Sequence, residues 1–280
     1  MIIIKSTKEL NHWFNENFNT RYSDVGFVPT MGALHLGHSS LIERASKESD
    51  VVVVSILVNP TQFNENTDLA EYPRTLDKDI IIARDAGCNV LFTPTAEDIY
   101  EGTPSAEHVD YGDITNSFEG VSRKGHFDGV VAVVDKLFQA VNPDKAYLGS
   151  KDLQQIAVVE RMSKERHPKV KIVSCDLIRD EIGLALSSRN KRLSDMGIVI
   201  SQRISYELRE AVRRISVGSN LVDSIESAKH NLSNLKGLEL EYLSGVDCKV
   251  FSEMSKSEVW THIIVAAKVE GVRLIDNIEL

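Results

Sequence analysis

The sequence predicts an α/β protein: a doubly wound parallel sheet over residues 1–177, followed by a smaller α+β domain over 178–280. Three observations carry this expectation. Short apolar runs alternate with helical patterns through the first part of the chain, the order that builds a parallel sheet with helices on both faces. One run, VVVVSILV at 51–58, is apolar without alternation, as a strand covered on both faces should be. In the last third, two helical patterns precede three alternating apolar stretches, which suggests helices packed on an antiparallel sheet.

The elements follow in order. Ser6-Thr7-Lys8-Glu9 reads as a capping box and predicts a helix to about Phe18. Val25-Gly26-Phe27-Val28, ended by Pro29, predicts a short buried strand, and helix signals run from about Gly37 to Ser49. The run at 51–58 is closed by Asn59-Pro60. A helix from after Pro73 to about Ala86 leads into the strand Asn89-Val90-Leu91-Phe92. A long apolar helix, 127–141, stops before Asn142-Pro143 and feeds the strand Lys145–Gly149. The helix 152–167 and the strand Val170–Cys175 complete the series. Beyond it come helices over 195–215 and 219–234, then strands over 238–247, 259–268 and 271–278.

Composition narrows the function. With 280 residues, 42% of them hydrophobic, the chain can bury a full core. A net charge of −9 argues against nucleic acid as a partner, which needs a basic footprint, but local Lys, Arg and His can still hold a small anion. Cys88, Cys175 and Cys248 lie far apart with no CxxC pair, which points to reduced thiols in a cytoplasm. The opening MIIIKST is too short for a signal peptide's apolar region. No run approaches the ~20 residues of a membrane span. A soluble cytoplasmic protein without a membrane partner is expected.

The stretch PTMGALHLGH, 29–38, places two histidines at a strand-to-helix turn. Such a turn presents free backbone amides and the positive end of the helix dipole, a common seat for phosphate. Gly32 and Gly37 remove side chains where a ligand would touch the backbone. His35 and His38, three apart, can both face one ligand and donate to phosphoryl oxygens as charge builds on them. Ordinary polar residues at a helix N-terminus, or a zinc pair lacking a nearby third ligand, are the alternatives. HxGH in this setting resembles the nucleotidyltransferase superfamily, which implies a Rossmann-like domain.

VPTMGALHLGH, VNPTQF (58–63), YPRTLDKD (72–79), GHFDGVVAVVDKLF (125–138), LGSKDLQQ (148–155), LALSSRN (184–190) and RLIDN (273–277) occur in order across nearly the whole chain. Together they resemble the pantothenate synthetase (pantoate–β-alanine ligase) family. The resemblance implies that ATP and pantoate give pantoyl adenylate and pyrophosphate, after which β-alanine attacks and releases AMP. His38 is implied as hydrogen-bond and proton donor in adenylyl transfer, with His35 its partner on the phosphates. ATP is implied at Met31, Gly32, Ala33, Leu34, His35, Leu36, Gly37, His38, Gly149, Ser150, Lys151, Asp152, Ile178, Leu186, Ser187, Ser188 and Arg189.

The residue types suit these roles. Gln62 and Gln155, assigned by the resemblance to pantoate, can hold its carboxylate and hydroxyls without the grip of a cation, which would blunt the nucleophile. Lys151 can neutralise the triphosphate, and Asp152 can cap a helix and take a ribose hydroxyl. Ser187, Ser188 and Arg189 can follow the departing pyrophosphate, as the superfamily's KMSKS loop does. Magnesium is expected with ATP; Asp77 and Asp79 are possible partners, weakened by the intervening Lys78, and no residue is assigned as a metal ligand. Arg123-Lys124-Gly125-His126-Phe127 is read either as a helix-entry loop or as part of the family's subunit interface and site. A homodimer is implied, with the C-terminal domain as a cover over the acyl adenylate.

Four positions depart from the family pattern. Leu36 and Ser150 stand where acidic residues are usual, Ile182 where Asp is, and Leu186 where Met is. Met254-Ser255-Lys256-Ser257 spells the superfamily loop literally, but Glu253 replaces its leading lysine, so it is read as a turn. Two other readings stay open: a nucleotidyltransferase with a stable dinucleotide or CDP-type product, and a nucleotide-binding sensor or scaffold without turnover.

Overall fold

A computed structural model describes residues 1–17, 24–252 and 256–280. Six parallel strands form the larger sheet: β1 (Ile2–Ile4), β2 (Val25–Thr30), β3 (Val51–Ile56), β4 (Val90–Phe92), β5 (Lys145–Gly149) and β6 (Lys171–Cys175). Their spatial order is β1-β4-β3-β2-β5-β6. The chain therefore steps outward from β2 through β3 and β4, then crosses back to lay β5 on the other side of β2. The order reverses between β2 and β5, and in such sheets the crevice at that point holds the ligand. Thr30 and Gly149, the last residues of these two strands, open directly into the loops that carry the histidine and lysine motifs.

Burial explains the continuous apolar run. On β3, Val53 packs with Phe27, Phe92 and the helix His126–Val141, whereas Val52 and Val54 join the helices Leu36–Glu48 and Leu76–Asp85 on the opposite face. Neither face meets water, so alternation has no purpose. The helix His126–Val141 is apolar nearly all round because the sheet and the helices Thr7–Asn17 and Leu153–Arg166 enclose it.

The second sheet is antiparallel, in the order β7 (Leu238–Val246), β8 (His262–Val269) and β9 (Val272–Glu279). The helices Asp195–Ser216 and Leu221–Ser233 cover one face, with Leu208, Ile225 and Leu232 against Val265 and Leu274. A smaller apolar cluster, Phe118 and Ala157 against Val246, Phe251 and Ile264, joins the two parts. Polar groups reinforce that join, where Arg273 grips Glu119 at 2.6 and 2.8 Å; within the second part, Arg179 grips Asp276 at 2.7 and 2.8 Å.

Several expectations shift. Ile2–Ile4, read only as too short for a leader, is an edge strand paired to β4. Three residues carry little periodicity, and only the register with Val90–Phe92 makes them a strand. Ser6 caps the first helix, although Glu9 reaches back to the amide of Lys5, 2.9 Å, and the expected end at Phe18 lies outside the described residues. The strand expected from 259 begins at His262, because Ser257–Val259 coil into a 3-10 turn. That turn starts inside the MSKS look-alike, whose Met254 and Ser255, like Glu253, lie outside the described residues.

Candidate active site

The loop leaving β2 folds around a buried carboxylate from a neighbouring helix. Gly32 (φ 82°) and Ala33 (φ 51°) are both left-handed, which turns successive amides inward. Asp79, 1% exposed, accepts from Ala33 N at 3.0 Å, Leu34 N at 2.8 Å and Thr75 Oγ1 at 3.0 Å. A Cβ on Gly32 would stand 3.1 Å from Asp79 Oδ2, so the glycine admits the carboxylate. Amides expected to take phosphate are thus occupied internally. Gly32, Ala33 and Leu34 do not line the adjacent cavity, and Leu36 is 72% exposed. Asp79 is equally withdrawn from pairing with Asp77 on a metal, since its oxygens hold this loop and Asp77 is exposed.

The histidines cap the helix that follows. His35 is the N-cap of Leu36–Glu48, and its Nδ1 accepts from Gly37 N at 3.2 Å; His38 Nδ1 accepts from His35 N at 3.3 Å. A Cβ on Gly37 would lie 3.0 Å from the His35 ring, so only glycine permits this reciprocal cap. With both Nδ1 atoms accepting, each neutral ring carries its proton on Nε2. The rings sit 4.1 Å apart, centre to centre, and both line the cavity. Burial, helped by Lys151 and Lys191, lowers the His35 pKa to about 4. Burial, then His35 and Lys151, lowers that of His38 to about 3. At neutral pH both rings are therefore N–H donors without charge.

The cavity measures about 210 Å³ and lies over the β2 and β5 exits. Of the sequence-predicted residues, Met31, His35, Gly37, His38, Gln62, Gly149, Lys151, Asp152, Gln155, Ile178, Leu186, Ser187, Ser188 and Arg189 line it. Gln62 is 8% exposed on a 3-10 turn, Pro60–Gln62. Its Oε1 accepts from Asn59 Nδ2 at 3.1 Å, its Nε2 touches Met31 Sδ at 3.2 Å, and His126 Nδ1 is 2.9 Å from its backbone oxygen. A neutral His126 donates there, and burial lowers that ring's pKa to about 3. Lys151 stands at a 3-10 turn, Ser150–Asp152, whose carbonyls at Ser150 and Lys151 accept from Asn277 Nδ2 at 2.8 and 3.2 Å. Ser150 itself does not line the cavity; its carbonyl faces the second sheet.

The chain beyond β6 turns back tightly, with Arg179 and Ala185 bridged antiparallel and Leu186 N bonded to Ile178 O at 3.0 Å. This return lays Leu186–Arg189 along the cavity. Ser188 Oγ donates to Ala33 O at 3.1 Å, tying this loop to the histidine loop. Arg189 is paired: its Nε and Nη2 meet Asp68 at 3.3 and 2.7 Å, and it lies over the Tyr72 ring. Leu186 faces the cavity, whereas Ile182 is 45% exposed, so of these two departures only Leu186 bears on the site.

Sequence reasoning missed Asn59, Tyr72 and the wall made by Val130, Val133, Val134 and Leu137. Asn59 and Tyr72 stood inside motifs already singled out. The valines were legible only as a buried helix, since no local pattern says which turn of a buried helix meets a void. Asp68, which holds Arg189, carried no sequence signal.

An HxGH strand-to-helix turn at the reversal of a parallel sheet, with a lysine entrance beside it, defines a nucleotide-binding α/β enzyme of the nucleotidyltransferase type. The family model described as pantoate-beta-alanine ligase matches residues 2–279, and the chain belongs to that family. It is 42% identical to the pantothenate synthetase of Cytophaga hutchinsonii over 281 residues, 99% of each chain. Against that of Bacteroides thetaiotaomicron it is 42% identical over 257 residues, 91% of this chain and 90% of the relative. The crystal structure of pantothenate synthetase from Thermus thermophilus superposes with TM-score 0.91 at 36% identity, covering 100% and 99% of the two chains. The pantoate-beta-alanine ligase of Francisella tularensis, complexed with beta-gamma ATP and beta-alanine, gives 0.83 at 38%, covering 100% and 97%.

Proposed function

We propose that this chain condenses pantoate with β-alanine to pantothenate through a pantoyl adenylate, converting ATP to AMP and pyrophosphate. The carrying observation is the lining of one cavity, where neutral imidazole donors, Lys151 and Arg189 meet Gln62, Gln155 and an apolar valine wall. Family membership and the ATP and β-alanine carried by the Francisella relative support the same reading. Pantoate, a hydroxy acid with two methyl groups on one carbon, suits amides beside Val130, Val133 and Val134.

In the first step a pantoate carboxylate oxygen bonds to the α-phosphorus as the bond to pyrophosphate breaks. Charge grows on the phosphoryl oxygens, and the Nε2 donors of His35 and His38 stabilise it. Without a positive charge, the rings avoid over-binding the ground state. Lys151, and Arg189 once drawn from Asp68, meet the leaving pyrophosphate. In the second step the amine of β-alanine attacks the acyl carbon, loses a proton, and AMP leaves with the bridging oxygen.

Asp152 and Asp176 face the cavity, and this sparse donor set fits a magnesium ion that arrives on the triphosphate with most of its water. Magnesium supplies charge neutralisation on the polyphosphate when bound. No helix among the described residues is long and apolar enough to cross a membrane. A homodimeric, cytoplasmic enzyme is part of this proposal, as is a division near residue 177, with residues 178–280 covering the adenylate.

The test supplies ATP and pantoate, then β-alanine. Pantoate alone should release pyrophosphate to about one equivalent, and AMP should accumulate only with both. AMP release independent of pantoate, or a retained nucleotide product, would sink the assignment.

A further inference from the structure

A second, smaller cavity of about 30 Å³ lies between the two sheets and shares Lys151, Asp152 and Gln155 with the first. Glu119, Arg123, His126, Gln154, Tyr242, Asp276 and Asn277 complete its polar lining. Room for one or two waters is also the size of a carboxylate head.

The charges around it do not balance. Glu119 is 6% exposed, and both its oxygens are engaged: Arg273 donates to each, at 2.6 and 2.8 Å, and Tyr242 donates at 2.5 Å. Burial raises the Glu119 pKa, but Arg273, Arg123 and Tyr242 together outweigh it and hold the group at about 2. Arg123 lies farther off, 3.6 Å from the same carboxylate, with its side chain 19% exposed. Its other contacts are neutral: Nη1 donates to His126 Nε2 at 2.9 Å, and Nη2 reaches Gln62 O at 3.5 Å. Glu241 is likewise shared, between Arg273 and Lys268. Asp152 is met by Lys151 and Asp276 by Arg179, so Arg273, Lys268 and Arg123 are left to share Glu119 and Glu241, and the deficit falls on Arg123. A part-buried guanidinium in that condition calls for an anion.

From this juxtaposition we infer that Arg123 holds the carboxylate of the incoming amino acid, placing its amine toward Gln62 and Gln155. The inference deepens the proposed function and rests on it. β-Alanine is a zwitterion at neutral pH, so its carboxylate must leave water for a cation. Lys151 and Arg189 face the larger cavity, where the polyphosphate needs them. Arg123 lines the smaller cavity and not the larger, so the acceptor's acid end is kept apart from the phosphates.

The experiment compares the unaltered enzyme with Arg123→Gln, whose amide can still donate to His126, and with Arg123→Lys. Pantoate-dependent pyrophosphate–ATP exchange reads the first step; pantothenate formation against β-alanine concentration reads the second. Arg123→Gln should raise KM for β-alanine by about 10–100-fold, the loss expected for a charge-assisted pair, with exchange within about threefold. Arg123→Lys should fall between. The unaltered enzyme should strongly prefer β-alanine to its neutral carboxamide, and Arg123→Gln should erase that preference. An unchanged KM or an unchanged preference overturns the inference. Equal loss in exchange and condensation overturns it too, making Arg123 a support for Gln62. Absence of exchange in the unaltered enzyme would instead remove the proposed function, and this assignment with it.

Discussion

The two strand exits that face the cavity solve one problem in opposite ways. After β2, the helix entrance is closed by its own surroundings: Asp79 takes two loop amides, and two imidazoles cap the helix and each other. After β5, the turn at Ser150–Asp152 is braced from the second sheet, through Asn277, and leaves Lys151 and Asp152 facing the void. The first entrance presents neutral, fixed donors; the second presents charge on side chains that can adjust. Donors that act on a forming transition state gain from being immobile, whereas a cation that follows a departing group gains from reach.

The comparison can be broken in graded steps. His38→Ala should leave the fold intact and slow pantoyl-adenylate formation about 10²-fold or more, the usual cost of one aimed donor. Quenched-flow measurement of pyrophosphate reads this, and a near-normal rate in a folded variant would refute the role of the first entrance. Asp79→Ala orphans two buried amides and a hydroxyl, so it should lower stability by about 2–4 kcal/mol. Urea unfolding decides this, and a loss below about 1 kcal/mol would mean that the carboxylate is dispensable to the loop. Asn277→Ala should raise KM for ATP about tenfold and, by leaving two carbonyls without their donor, lower stability by about 1–2 kcal/mol. Asn277→Asp should be worse than alanine, because a carboxylate would face two carbonyls; the reverse order would deny the brace.

The smallest effect per group is in pH. An unfolded chain binds protons on histidine near 6.5, whereas folded His35 resists to about 4 and folded His38 to about 3. Stability should therefore be flat above about pH 7 and fall as pH drops through that window, by roughly 1 kcal/mol for each ring between 7.5 and 5.5. His35→Gln should shallow the slope measured by urea titration. If the slope is unchanged, that ring is not held neutral.

How far the site was readable depends on where each partner stands in the chain. HLGH announced a helix entrance with two rings on one face because capping is local, and the rings do line the cavity. The same locality left Asp79 unseen beside Gly32, Ala33 and Leu34, since its hold on the Ala33 and Leu34 amides joins residues about 45 apart. Arg189 was legible as a cation suited to phosphate, but its pairing with Asp68 joins residues 121 apart. Arg123 showed only as part of a basic, aromatic stretch, its charge deficit invisible until Arg273 was seen on Glu119.

Alternation, capping residues and chain punctuation by themselves determined most of the strands and helices, β1 excepted, the parallel sheet and the loops at the exits of β2 and β5. Tertiary structure decided which polar groups remain available to a ligand. Periodicity is set by neighbours three or four residues apart, whereas a buried carboxylate or amide is satisfied by whatever packing brings to it, and that partner has no fixed separation in the chain.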